Sequence, residues 1–225
     1  MRRLLFYVLM SASIPAAGCN TAGFPPGILF WEDQDVADFE LPHQKIERYQ
    51  ELASTARRKT PAEQEQAAQE LALEIRDTQD PILRTHIVQA LSSIPAPTSQ
   101  KVLNAALSDE DEYVRLMAVR GLVQRGGADD IRVLARVVES EKDLAVRLAA
   151  IRGLGTLKAP ETVQALAVAL DDPNPAVVSS TIDSMQASTG RYYGRDAKAW
   201  AEFARGVDVP QQQRTLAERV LSWWE

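Results

Sequence analysis

A chain of 225 residues that is 45% hydrophobic and 25% charged carries enough apolar side chains to bury a core, which excludes disorder as its default state. Its formal charge is −6, and without Arg2 and Arg3 the 25 basic residues fall to 23 against 31 acidic, a net −8 that excludes a nucleic-acid binder, since phosphates demand clustered Lys and Arg. A single Cys excludes an internal disulfide and a thiolate metal cluster, leaving its position as the informative fact.

Arg2 and Arg3 precede the apolar run Leu4 to Met10, and small residues then lead through Ala16, Ala17 and Gly18 to Cys19. That order is the order of a secretory signal, and the apolar run is too short to span a bilayer permanently. Small residues directly before a Cys at this depth resemble the lipobox of bacterial lipoproteins, although Ala16 stands where the family most often has Leu. The resemblance implies cleavage after residue 18 and a diacylglycerol-modified Cys19, whose two acyl chains would suffice for stable anchoring. The alternative is an ordinary signal cut near Ala17 or Gly18 that leaves a free thiol. Residues 19–42 hold Pro25, Pro26, Gly27 and the acidic residues Glu32, Asp33, Asp35 and Asp38 without a sustained helical period, and read as a tether with one ordered patch at Phe30 and Trp31.

From Gln44 to Arg57, the residues Ile46, Tyr49, Leu52, Ala53 and Ala56 fall at helical spacing, predicting a leading helix over the first repeat. The chain then repeats. Leu83–Leu91, Val114–Leu122, Val146–Leu154 and Val177–Met185 come into register at steps of 31, 32 and 31. Their columns Leu83, Val114, Val146, Val177, then Val88, Val119, Ile151, Ile182, then Leu91, Leu122, Leu154, Met185 mark one face of a helix. Ala90, Gly121, Gly153 and Ser184 form a small column where a neighbouring helix can come close. Before each lies a second helical column, Leu71, Leu103, Leu134 and Leu166, followed four residues later by Ile75, Leu107, Val138 and Leu170. Short turns rich in Asp, Ser and Pro separate the members of each pair, supplying caps that favour the helix dipole.

These four pairs resemble HEAT repeats, particularly the short repeats of phycocyanobilin lyases, over roughly residues 61–186. The resemblance implies an acidic residue in the turn and an Arg six positions later, and Asp109 with Arg115 and Glu141 with Arg147 keep that spacing. Thr78 with Arg84 and Asp172 with Val178 depart from it, as expected of terminal repeats. The fold class expected is all-α, an α-solenoid (superhelix) of about four HEAT-like hairpins with capping helices at both ends. In domain terms this predicts a signal peptide over 1–18, a lipidated tether over 19–42, repeats over 43–188 and a closing segment over 189–225.

In the closing segment Gly190 and Gly194 permit turns, Asp196 can cap a helix, and Trp200 with Phe203 can cover the last repeat. The order Thr-Gly, aromatic-Gly, Asp, Trp resembles a closing segment found after HEAT arrays in some environmental bacteria. Pro210 is expected to open a final helix with Leu216, Val220, Leu221 and Trp224 on one side.

Chemistry-bearing motifs are scarce. His43 and His86 read as structural, and there is no Gly-rich phosphate loop, Gly-x-Ser-x-Gly elbow or His-Glu-x-x-His. The run Asp109 to Glu112 fails the calcium-loop pattern, because Tyr113 and Val114 stand where a ligand and a glycine are needed. Arg115 and Arg147 could meet an anionic partner, but their turn-spaced acids favour a structural ladder. Trp223 and Trp224 could dock on a partner or the membrane interface, and packing on the last repeat is the expected role. No catalytic residue, cofactor or metal is therefore expected. The expected function is a non-catalytic scaffold, lipid-anchored in the bacterial cell envelope, that holds another exported protein. Self-association into an envelope assembly and a chromophore-lyase-like activity are the alternatives.

Overall fold

Helices form where apolar stripes run between capping residues, and the computed structural model describes residues 40–212. The chain divides into residues 1–39 and 40–225; the expected signal, Cys19 and the expected tether through Phe39 lie outside the described residues, as do Leu216, Val220, Leu221, Trp223 and Trp224. Glu40 and Leu41, read as tether from the sequence, already bond into the first helix: Glu40 pairs with Arg48 and the Leu41 N–H donates to the Gln44 side chain.

The helices are α1 (Pro42–Ala56), α2 (Pro61–Asp77), α3 (Pro81–Ser93), α4 (Pro97–Ala106), α5 (Glu112–Arg125), α6 (Ala128–Ser140), α7 (Leu144–Thr156), α8 (Pro160–Ala167), α9 (Pro175–Thr189) and α10 (Ala197–Ala204), with no strand among the described residues. The starts follow from cap chemistry. Asp80, Asp111, Asp143 and Asn174 each accept a backbone N–H from the first turn of α3, α5, α7 and α9, and Thr60 with Glu63 closes a reciprocal capping box on α2. Proline at the first position of six of these helices fixes φ where no hydrogen bond is lost.

Two layers result. In one, α1, α3, α5, α7 and α9 pack each on the next; in the other, α4 packs on α2, α8 on α6 and α10 on α8. The array is thus four complete pairs with half a pair at each end: α1 takes a second-helix place and α10 a first-helix place. Leu71, Leu103, Leu134 and Leu166 are fully buried between the layers, each worth about 1.5–3 kcal/mol of burial. Leu83, Val114, Val146 and Val177 are buried in consecutive second helices.

Close approach within the second-helix layer depends on the small column. A Cβ on Gly121 would stand 2.9 Å from both a Leu103 methyl and the Ser92 Cβ, and one on Gly153 would collide with the Val123 side chain. At the closing end Gly190 ends α9 at φ 70°, in the left-handed region that glycine tolerates.

Two expectations need correction. Leu107 and Leu170 lie beyond the ends of α4 and α8, because the chain tightens there into turns bonded three residues back, Ser108 N–H to Ala105 O and Leu170 N–H to Ala167 O. Leu170 nevertheless remains buried, so the apolar column outlasts the helix. Residues 210–212 are not helical; the Gln212 N–H instead donates to Tyr192 O at 3.0 Å, so Pro210 does not open a helix within the described residues.

The first-helix layer opens between α4 and α6. Gln100 on α4 donates to buried Asp130 on α6 at 2.7 Å, but toward their C-terminal ends the two helices part around a cleft of about 800 Å³ lined by Asn104, Leu107, Val133, Arg136, Val137 and Lys142 among others.

Candidate functional site

The turns between paired helices carry a ladder of ion pairs that joins consecutive repeats. Arg84 donates to Asp109 at 2.9 and 3.0 Å and reaches Glu110 at 3.3 Å; Arg115 donates to Glu141 at 3.1 and 3.3 Å; Arg147 pairs with Asp172. The sequence spacing couples Asp109 with Arg115 and Glu141 with Arg147 inside one repeat. The carboxylates of those pairs are instead taken by the arginine of the preceding repeat. Within its own repeat Arg115 meets only the backbone, donating to Asp109 O at 2.9 Å and Glu110 O at 3.0 Å, and Arg147 likewise donates to Val138 O at 2.8 Å.

Each acid has a second task. Asp109, Glu141 and Asp172 accept the N–H of Asp111, Asp143 and Asn174 at 3.0, 2.8 and 2.8 Å, and those residues are the caps of α5, α7 and α9. One carboxylate therefore orders its own cap and receives the guanidinium of the repeat before it. The terminal departures follow. Three arginines answer three acids one repeat on, so the first turn, with no arginine ahead of it, can hold Thr78, and the last helix, with no acid after it, can hold Val178. A constant step of 25 or 26 residues from each Arg to its acid is the sequence signal for this pairing.

At the leading end a second charged cluster fastens α1. Glu74 accepts the Tyr49 hydroxyl and two hydrogen bonds from an Arg48 nitrogen at 3.0 and 3.1 Å, with Lys45 at 3.5 Å. Burial pushes the Glu74 carboxyl up, but the bonds from Tyr49 and Arg48 outweigh it and hold it below the usual range. Burial, followed by the bond to Glu74, pushes the Tyr49 hydroxyl well above its ordinary value. The Arg48 guanidinium is raised, chiefly by its bond to Glu40. His43 is exposed at the start of α1, and His86 is half-buried in a cleft of about 270 Å³ between α1 and α3.

The ladder leaves the outward ridge of the second helices free. One of its columns reads Gln89, Arg120, Arg152 and Asp183, at equal places of α3, α5, α7 and α9, and all four of these are exposed. Tyr113 is 64% and Ile82 61% exposed on the same ridge. Between α7 and α9, where the ridge residues are small, a cleft of about 630 Å³ is lined by Arg152, Thr156, Lys158, Ser179, Ser180 and Asp183 among others. Sequence reading passed over Arg120 and Arg152; the signal was their equal place in adjacent repeats without an acid three or four residues away on the same helix.

Helical hairpins stacked in two layers, stitched through their turns and closed by half-pairs, define an α-solenoid repeat protein. Models of HEAT repeats match residues 68–148 and 138–221, and the chain belongs to that family. No curated protein matches it.

Proposed function

We propose that the chain is a lipid-anchored scaffold of the bacterial cell envelope that holds another exported protein on its second-helix face. The observation that carries this reading is the ridge itself: among the described residues no element covers it, and Tyr113, Arg120 and Arg152 stand out from it exposed. Large apolar and basic side chains on one continuous face are the material of protein interfaces. A rigid array presents them at fixed spacing, since each pair is held by its neighbours. Two acyl chains on Cys19 would confine the search for the partner to a membrane surface and raise the effective concentration of anything anchored beside it.

A photo-crosslinking residue in place of Gln124, on the ridge, tests the reading in intact cells. A reproducible exported protein captured there, and not from Glu139 on the other layer, is the expected result. Capture of this chain alone would favour self-assembly, and capture of nothing would end the scaffold reading. For the anchor, Cys19→Ala is expected to move the protein from the membrane to the soluble fraction; unchanged fractionation would refute lipidation.

A further inference from the structure

The ridge is specific about charge. In a chain with more carboxylates than cations, Arg120 and Arg152 sit at equal positions of adjacent second helices, both exposed, and among the described residues neither side chain enters an ion pair or hydrogen bond. The other arginines of the middle second helices are engaged: Arg115 and Arg147 in the ladder, and Arg125 in bonds to the Ile94 and Ala96 carbonyls at 3.3 Å. Two unpaired guanidinium groups held one repeat apart are a ruler for two carboxylates.

The ruler has a length. Neighbouring packed helices lie roughly 8–10 Å apart, and residues in the same column share a height, so the two arginines are separated by about that distance. A polyproline-II segment crossing the helices rises about 3.1 Å per residue and completes a turn every three residues, which puts positions i and i+3 on one side about 9 Å apart. A β-strand does not match, because side chains on its one face recur every second residue, about 6.6 Å. The column also fixes the number of acids. Beyond Arg152 it reaches Asp183, which is bonded to Arg195 at 2.7 Å, and before Arg120 it reaches the neutral Gln89. Along this column, among the described residues, a third carboxylate would meet no free cation. Half-buried Leu116 and Met117 lie one turn before Arg120 on α5, and half-buried Leu148 one turn before Arg152 on α7, which sets apolar surface beside both arginines.

We infer that the partner docks through an extended, polyproline-II segment whose two carboxylates, three residues apart, are received by Arg120 and Arg152. This rests on the scaffold reading and narrows it to a chemical class of ligand.

The probe is a fluorescein-labelled peptide of about nine residues with Asp at i and i+3 in a Pro/Ala background, titrated against the full-length chain in detergent and followed by anisotropy. Peptides with Asp at i and i+2, or with Asn at both places, serve as comparisons. The i, i+3 peptide is expected to bind about tenfold more tightly than either, and to weaken steeply with added salt. Arg120→Gln and Arg152→Gln should each abolish the preference with unchanged circular dichroism and melting, while Arg136→Gln on the other layer keeps it. Equal binding of the three peptides, or a preference that survives both ridge substitutions, overturns the inference. Ridge crosslinking to an exported partner that persists in the Arg120→Gln, Arg152→Gln double variant would sink this assignment and leave the scaffold standing; loss of all partner crosslinks in the wild type sinks the scaffold itself.

Discussion

At the leading end α1 is held by a charged cluster around Glu74, whereas at the closing end α10 is held by three aromatic rings around Trp200. Tyr193 meets Trp200 edge-on at 4.8 Å between centroids, Phe203 lies 6.0 Å from Trp200, and the indole N–H donates to Gly194 O at 3.2 Å. Both devices close the same kind of array, yet the first depends on ionisation and the second on area and shape. The difference follows from which layer each cap joins. As a second helix, α1 lies beside α3 and can reach the charged C-terminal part of α2, while α10, as a first helix, must cover the apolar end of α8 and α9.

The largest expected effect is at the closing end. Trp200 is fully buried, and Trp200→Ala should cost about 3–5 kcal/mol. Because each repeat leans only on its neighbours, the loss should be local: hydrogen exchange should quicken in α8, α9 and α10 and leave α1 to α3 protected. Uniform loss of protection along the chain would mean that the ends are not independent, and the comparison would fail.

At the leading end Glu74→Ala should cost about 1–3 kcal/mol, since it strands the buried Tyr49 hydroxyl and half of the Arg48 pairing, with the loosening confined to α1 to α3. The same cluster makes that end sensitive to acid. Glu74 is held below the usual range in the folded state, so its contribution is complete above the unfolded carboxyl value and disappears as pH falls through the folded one. Glu63 and Glu65, lowered by bonds from Thr60 and Thr98, belong to the same half of the molecule. Between about pH 5 and pH 3, exchange should accelerate in α1 to α3 before it does in α9 and α10, whose rings do not titrate there. Simultaneous opening of both ends over that interval would contradict the assignment of Glu74.

How much of this was legible in the sequence depends on how local the cause is. The period of the second helices, the caps Asp111 and Asp143, the small column at Gly121 and Gly153, and the roles of Gly190, Gly194, Asp196 and Trp200 are written within one or two turns of the chain, and the fold agrees with them. The partners of Asp109 and Glu141 were misread because the six-residue spacing is visible inside one repeat, whereas the bond that forms crosses to the next. The end of α8 at Ala167 was missed because burial of Leu170 does not distinguish a helix from a tight turn. The parting of α4 from α6 has no local marker, since it reflects how two hairpins settle on each other.

The smallest expected effect is one in which the two halves should behave alike. Ser99 on α4 and Thr162 on α8 stand in the same column, four residues before Leu103 and Leu166, and both side chains are fully buried with hydroxyls that find no hydrogen-bond partner among the described residues. A buried hydroxyl without a partner contributes nothing to set against its lost hydration, so an apolar replacement of similar shape removes a penalty rather than a bond. Ser99→Ala and Thr162→Val should therefore each leave stability within about 0.5 kcal/mol of wild type, or raise it. Thr181→Val is the contrast: its equally buried hydroxyl donates to Val177 O at 2.8 Å, and losing that bond should cost about 1 kcal/mol. Chemical denaturation of the three variants measures this directly. A loss in Thr162→Val as large as that in Thr181→Val would show that the Thr162 hydroxyl has a partner, a buried water being the natural one, and that the first-helix layer is polar where its neighbours read as dry.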